Sequence, residues 1–403
     1  MEKTVCELFA GVGGFRLGLE KASSDWNTVW FSQWEPGKKN QWAHDCYIHH
    51  WSDIDEYTGI DIAQVDKNHI PNHNLLVGGF PCQDYSVARP LPGSHGIEGK
   101  KGVLWWQISA ILQAKKAPFV LLENVDRLLR SPASQRGRDF GIMLTCFNKL
   151  GYRVEWRVVN AAEYGAAQRR RRTFIFAYRK DTAYAKKMGK KVPLDIVGKK
   201  GFFATTFPIG PCKDSKDVRT LTIGPKEIWD VSDDFQFDFG NGGFMRDGEI
   251  TTLKVTPIVE IPIPLKDIIE KDVSSEYYLG NDLDKWKYLK GAKNITRTSK
   301  SGYCYKYSEG PIAFPDSINL PARTMLTSES SVNRSTHIIE DPQTGKLRLL
   351  TPLEAERIQG FEDNWTNTGM PESTRYFCMG NALVVPMVTR MGKTLNKIFE
   401  AEK

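Results

Sequence analysis

Residues 4–20 read TVCELFAGVGGFRLGLE. A short apolar run of strand type meets glycines at 11, 13 and 14, and a helical pattern opens straight after them. Glycine lets the backbone turn tightly and lets a ligand approach the main chain, and free N–H groups at a helix start favour carboxylate or phosphate. About twenty residues on, Glu35 closes a second apolar run, where an acid grips ribose hydroxyls in nucleotide-binding folds. The stretch predicts a βαβ fold holding a nucleoside-bearing cofactor. Gly-x-Gly-Gly is not the Gly-x-Gly-x-x-Gly of dinucleotide binders, and a glycine-tightened turn without a ligand is the plainer alternative.

Working outward, the first 180 residues alternate short apolar runs with amphipathic stretches, as a parallel sheet built from βαβ units requires. Strands are expected at 4–9, 28–34, 74–80, 118–124, 152–159 and 173–178. Helices are expected at 103–116, where Leu104, Ile108, Ile111 and Leu112 share a face, and at 136–151. Residues 180–200 are lysine-rich without strong periodicity and read as a linker. From about 201 to 345, short runs broken by Gly, Pro and Asn predict irregular structure with short strands. TPLEAERIQGF (351–361) opens on a Thr-Pro helix start, and 384–399 reads as a closing amphipathic helix.

A chain of 403 residues has room for one large or two moderate cores. Its 55 basic and 48 acidic residues give +7, a mild bias toward a polyanionic partner. The seven cysteines are scattered singly with no Cys-x-x-Cys pair, which suits a reducing compartment and gives no zinc site. His44, His49 and His50 lie close together without ligand partners at metal spacing, so no metal is expected. No apolar run approaches a membrane span and the N-terminal residues lack signal-peptide shape, so a cytoplasmic protein with no membrane partner is expected.

One cysteine stands apart. In LLVGGFPCQDYS (75–86), two glycines and a proline set Cys82 at the carboxyl end of a buried strand, where open α/β sheets place their ligand crevice. The polar stretch 87–102 that follows has the texture of a lid, and a thiolate there is a capable nucleophile. Inert packing is the ordinary fate of a strand cysteine, and Cys6 and Cys146 are read that way. The next apolar run, LLENV, delivers Glu123 and Asn124 to the same edge. In QRRRRTFIF (168–176) an extended backbone sends Arg170 and Arg172 to one side and Arg169 and Arg171 to the other; a solvated charge run is the bland alternative.

Together these segments resemble the DNA (cytosine-5) methyltransferase family of bacterial and phage type. ELFAGVGG, Glu35, Asp61-Ile62, GGFPCQDYS, LLENV, QRRRRTF, RLLTPLEAERIQGF (348–361) and GNALVVP (380–386) occur in that family's order. PARTMLTSE (321–329) is similar to the end of its target-recognition region. Three small departures are Leu383 in place of valine, Glu362 in place of proline, and Thr324-Met325 in place of Thr-Leu.

The resemblance implies an α/β fold: a Rossmann-like S-adenosylmethionine-dependent methyltransferase domain (1–184), a smaller, irregular target-recognition domain inserted near the C-terminus (185–345), and a return segment (346–403). It implies methyl transfer from S-adenosylmethionine, leaving S-adenosylhomocysteine, to carbon 5 of a flipped cytosine in a specific double-stranded DNA sequence. Cys82 would attack carbon 6, Glu123 would meet ring nitrogen 3, Arg172 the carbonyl oxygen, and Arg170 would support the pocket. Phe9, Ala10, Gly11, Val12 and Gly13 would surround the methionine moiety, Glu35 the ribose, and Asp61 and Ile62 the adenine, with Pro81, Asn381 and Leu383 completing the site.

Lys100, Lys101 and the lysines of 186–200 are candidates for phosphate contacts, and 296–307 and 327–336 for base contacts. A monomer, nucleoid-associated through DNA, is expected, with a cognate restriction endonuclease as a possible separate partner. Three other readings stand beside this one: a tRNA cytosine-5 methyltransferase of the same family, a nicotinamide-dependent oxidoreductase and a non-catalytic DNA-binding module. The oxidoreductase has the wrong glycine spacing, and the binding module has no use for Cys82, Glu123 and Arg172 together.

Overall fold

Six apolar segments form strands close to their expected places: β1 (Thr4–Leu8), β2 (Asn27–Ser32), β3 (Leu75–Gly79), β4 (Phe119–Val125), β5 (Tyr152–Asn160) and β6 (Arg171–Arg179). The computed structural model describes residues 1–52, 57–80, 104–211, 217–224, 235–280, 283–299 and 302–402. Strands β2, β1, β3 and β4 run parallel in that order, and β6 then pairs antiparallel to β4, with β5 beyond it. The sheet is therefore mixed, not purely parallel. Reversal of β6 brings its first residues, Arg171 and Arg172, to the edge where β4 ends, with Arg172 opposite Val125.

Unbroken apolar runs such as LLVGG and FVLL make sense because both faces of the sheet are covered. Leu76, Val120, Leu122, Ile175 and Ala177 face a core built with helices α3 (Leu104–Lys115) and α4 (Arg138–Lys149). Their neighbours Leu75, Val77, Phe119, Leu121, Phe174 and Phe176 face the opposite core. That second face carries α1 (Gly14–Glu20) and the C-terminal helix Val385–Ala401, packed side by side. Glycines set their spacing: a Cβ at Gly18 would lie 2.5 Å from Val388 Cβ, and one at Gly392 2.6 Å from Ala22 Cβ.

The lysine-rich stretch is not a linker. Ala183–Gly189 is a helix capped by the Thr182 hydroxyl, which accepts from Ala185 N–H. Ala185, Met188, Ile196 and Val197 are buried in the second core, and the Glu402 carboxylate accepts the N–H groups of Ala183 and Tyr184. Lysines between these apolar positions point outward and mask the pattern.

Within the span 185–345, three strands belong to the central sheet: β7 (Arg219–Thr222), β8 (Gly242–Arg246) and β9 (Glu249–Leu253) extend it beyond β5 in the order β8, β9, β7. Farther on, β10 (Lys293–Thr298) and β11 (Cys304–Glu309) form a separate two-stranded ribbon, and β12 (Ile338–Glu340) pairs with β13 (Leu347–Leu349). A third core, including Leu265, Ala322, Met325, Ile358, Phe361 and Trp365, fastens this region to the helices Pro352–Gln359 and Glu372–Asn381. The first of these starts in a reciprocal cap: Thr351 Oγ1 accepts from Glu354 N–H while the Glu354 carboxylate accepts from Thr351 N–H. Arg348, fully buried, ion-pairs with Asp341 at 2.8 Å and with Glu354 at 2.7 Å.

Substituting Gly18→Ala tests the helix interlock. Alanine gains about 1 kcal/mol of helix propensity, but overpacking against Val388 costs about 1–3 kcal/mol. A lower unfolding midpoint in denaturant is expected; an unchanged or higher one would show that the helices separate at no cost.

Candidate active site

At the end of β1 the chain turns through Phe9 (φ 54°), Gly11 (φ 58°) and Gly13 (φ 85°) before α1 begins. The turn is held by Ala10 N–H donating to Ser32 O at 3.0 Å and Gly11 N–H donating to Gln33 Oε1 at 2.7 Å. Gly13 is doubly constrained, since a Cβ there would also lie 2.2 Å from the Trp51 ring. At Gly11 a Cβ would meet nothing within 4 Å.

That turn forms one wall of a cavity of about 880 Å³ at the carboxyl edge of β1 to β4, within the roughly 300–1,000 Å³ usual for small-molecule sites. Phe9, Ala10, Gly11, Val12, Glu35, Asp61, Ile62, Asn381 and Leu383 all line it. Gly13 does not; it shapes the turn from behind. Pro81 and Cys82 lie outside the described residues, as do Lys100 and Lys101. Partial burial pushes the Glu35 carboxyl up from its ordinary value, with Lys38 opposing, and Glu35 N–H donates to Gln41 Oε1 at 2.7 Å.

Glu123, Arg170 and Arg172 line the same cavity. Arg172 Nε lies 2.7 Å from Glu123 Oε1, both side chains being largely buried. Gly79, opposite Glu123 in the ladder, leaves space for the carboxylate: a Cβ there would come within 3.2 Å of Glu123 Oε2. Arg171 faces outward to Asp126 at 3.4 Å, so the expected alternation holds.

Arg170 is buried and grips main chain. It donates to Met325 O at 3.0 Å and Gly380 O at 2.9 Å, while its Nε has no partner. Burial and the neighbouring Arg172 pull its pKa down to about 9, with Glu123 opposing. It braces the cavity wall through those two carbonyls.

Sequence reasoning placed Asn124 at this edge without its partner and missed several other contributors. Asn124 Nδ2 donates to Phe80 O at 2.8 Å, tying the end of β4 to the residue before Pro81. Gln168 is buried, and its Oε1 accepts from Met325 N–H at 3.0 Å. Both sit inside motifs already noticed, and their buried amides were the available signal. Gln107, Trp34 and Phe377 also line the cavity, placed there by tertiary folding with no sequence mark. The lysines of 186–191 are placed differently from expectation. Arg246 at the far end of the sheet holds the carbonyls of Gly189 and Lys191, away from the edge that carries Glu123.

The description of the C-5 cytosine-specific DNA methylase family matches residues 3–397. The chain belongs to that family. This cytosine-5 methyltransferase is 53% identical over 399 residues to Type II methyltransferase M.Sau3AI of Staphylococcus aureus, covering 98% of this chain and 95% of that one. It is 25% identical to Type II methyltransferase M.SsoII of Shigella sonnei, covering 96% and 79%. The Dnmt2 methyltransferase of S. pombe has a similar fold, with a TM-score of 0.59 at 14% identity and 98% of both chains covered.

The enzyme is thus a DNA (cytosine-5-)-methyltransferase of restriction-modification type, a family that takes its methyl group from S-adenosylmethionine. The family match and the two Type II relatives favour DNA over tRNA as substrate. Among the described residues no group of three or more His, Cys, Asp or Glu is placed to hold a metal ion, and no helix is long and apolar enough to cross a membrane.

Beneath the glycine turn of the methyltransferase, Glu7 on β1 is fully buried. Burial pushes its carboxyl from 4.5 up to about 8, against the opposing pull of the Tyr47 hydroxyl, which donates to it at 3.1 Å, and of Arg16. The folded state therefore favours the neutral acid. The cost of ionising it is absent below pH 4.5, grows as pH rises, and levels off above about 8. Glu7→Gln is expected to gain stability relative to the parent between pH 5 and pH 8.5, measured by denaturant unfolding at both. A pH-independent difference would show that Glu7 is charged throughout.

Proposed function

We propose that this enzyme methylates carbon 5 of a cytosine flipped out of double-stranded DNA, through a covalent adduct on Cys82. The observation that carries this reading is the meeting of the glycine turn and the Glu123–Arg172 pair in one cavity. A nucleoside joined to a charged amino acid fits the lining: Gly11 leaves open space beside the main chain, Glu35 and Asp61 offer carboxylates, and Phe9, Ile62 and Leu383 offer apolar surface. S-adenosylmethionine, when bound there, supplies an electrophilic methyl group. Phe9 to Val12 would hold its methionine end on the turn that Gly13 shapes, Glu35 its ribose, Asp61 and Ile62 its adenine, with Pro81, Asn381 and Leu383 closing the site.

Carbon 5 of cytosine is a poor nucleophile. Addition of the Cys82 thiolate to carbon 6 makes carbon 5 electron-rich, and a proton on the Glu123 carboxyl at ring nitrogen 3 offsets the negative charge that develops. Arg172 donates to the carbonyl oxygen of the base and keeps Glu123 oriented through their 2.7 Å contact. Once carbon 5 carries the methyl group, loss of its proton restores the ring and expels the thiolate. The base must leave the helix to reach this depth, at a cost of a few kcal/mol that protein–DNA contacts offset.

We assign target recognition to 185–345, and within it to the part beyond β9, because β7 to β9 are committed to the central sheet. A monomer acting in the cytoplasm on nucleoid DNA, with a separate restriction endonuclease of the same specificity, completes the proposal. Labelled-methyl transfer to DNA and to tRNA tests it: label in DNA cytosine is expected, and label in tRNA alone would overturn it.

Cys82→Ala is expected to abolish transfer while S-adenosylmethionine still binds by calorimetry. Substantial residual turnover would rule out the covalent route. Glu123→Gln preserves the shape of the carboxyl but has no proton to give; its chemical step should slow about a hundredfold or more. Rapid-quench kinetics with an unchanged rate would remove Glu123 from catalysis.

A further inference from the structure

The ribbon β10–β11 stands apart from every hydrophobic core of the described residues. An isolated two-stranded hairpin is at best marginally stable in water, and this one is held at its root. Arg334 donates to Leu289 O at 3.2 Å, Gly291 O at 3.0 Å and Gly310 O, and pairs with Glu309 at 2.9 Å. Lys293 Nζ adds Leu289 O at 3.0 Å and Glu309 at 3.4 Å.

Register and the two-residue period divide the ribbon into two faces. On one, Lys293 opposes Glu309, Ile295 opposes Tyr307 and Arg297 opposes Tyr305, and the Arg297 guanidinium stacks 3.7 Å from the Tyr307 ring centre. Two contacts on this face are thus internal, Lys293 with Glu309 and Arg297 with Tyr307, while Ile295 and Tyr305 are exposed. On the other, Asn294 opposes Ser308, Thr296 opposes Lys306 and Thr298 opposes Cys304, and all six are exposed. Asn294, Thr296, Lys306 and Ser308 make no side-chain hydrogen bond among the described residues, so their polar groups are open to solvent.

The other candidate segment, 327–336, spends its polar groups on itself. Asn333 Nδ2 donates to Ser328 O and Ser331 O, Thr336 Oγ1 to Ser331 O, and Arg334 serves the root of the ribbon. This segment also ties the ribbon to the cavity. Arg323 donates to Ser335 O at 3.1 Å and Thr336 O at 3.3 Å, and two residues on, Met325 O is one of the carbonyls gripped by Arg170.

We infer that the ribbon enters the DNA major groove and reads base edges with Asn294, Thr296 and Lys306. The inference rests on the function proposed above, since it takes duplex DNA as the occupant. A groove about 12 Å wide admits a two-stranded ribbon. Asparagine matches the donor–acceptor pair of adenine, lysine the acceptors of guanine, and threonine either an acceptor or the thymine methyl. The basic side chains Lys293, Arg297 and Lys306 suit a polyanion, and the one acidic residue on the ribbon, Glu309, is already paired at the root.

The test compares Asn294→Ala, Thr296→Ala and Lys306→Ala with the parent. Bisulfite sequencing first maps the parent's site; kcat/KM is then measured on that duplex and on duplexes with each base pair of the site replaced in turn. Loss of one base contact should erode discrimination at one position by about 5- to 150-fold in at least one variant, with S-adenosylmethionine affinity unchanged. A parent active on duplex DNA whose three variants all keep its discrimination, at whatever overall rate, overturns the ribbon assignment alone. A parent inactive on every duplex overturns the function proposed above and this inference with it.

Discussion

A guanidinium taken out of water is the constraint on which the site depends. Arg170 is buried, yet its hydrogen-bond partners are two main-chain carbonyls, not an anion. Removing an ion from water costs several kcal/mol, and here carbonyl dipoles and the nearby Glu123 carboxylate offset that cost. The two carbonyls come from positions 155 and 210 residues further along the chain. Arg170 thereby fixes the start of β6 against the segment around Met325 and against the motif GNALV. Gly380 permits the junction, since a Cβ there would lie 2.4 Å from Thr327 N. With those segments fixed, Arg172 and Glu123 hold their mutual orientation in the cavity wall.

Charge within the cavity is arranged by what surrounds each group. Glu123 has a guanidinium at contact distance, whereas Glu7, on β1 before the glycine turn, is fully buried with the Tyr47 phenol as its hydrogen-bond donor. One carboxyl therefore faces the cavity beside a cation, and the other is held toward its neutral form inside the scaffold.

The sheet was legible because its central strands are covered on both faces, so residues 75–79 and 119–122 had to be apolar at every position. One cavity wall was legible for a related reason: a turn that opens a strand end toward a cavity needs glycine, as in AGVGG. What escaped notice depended on distant partners. Nothing local in RTLT or GGFMR says that 219–253 will extend the sheet, because its junction is with β5, some ninety residues before β8. The lysines of 186–200 hid four buried apolar residues. Gln107 and Phe377 reach the cavity only because a helix from each half of the chain ends there.

The closing helix has a consequence for how the protein is made. Val384, Met387, Val388, Met391, Leu395 and Phe399 cover Val5, Leu75, Val77, Phe119 and Leu121 on the sheet, with the Phe119 and Phe399 rings 5.0 Å apart. On a ribosome the strands emerge first and their cover comes last. At about 5–20 residues per second, the roughly 200 residues between β6 and that helix take ~10–40 s to synthesise. For that interval an apolar strip of the nascent sheet has its cover not yet translated, so the second core can close only after synthesis is nearly complete.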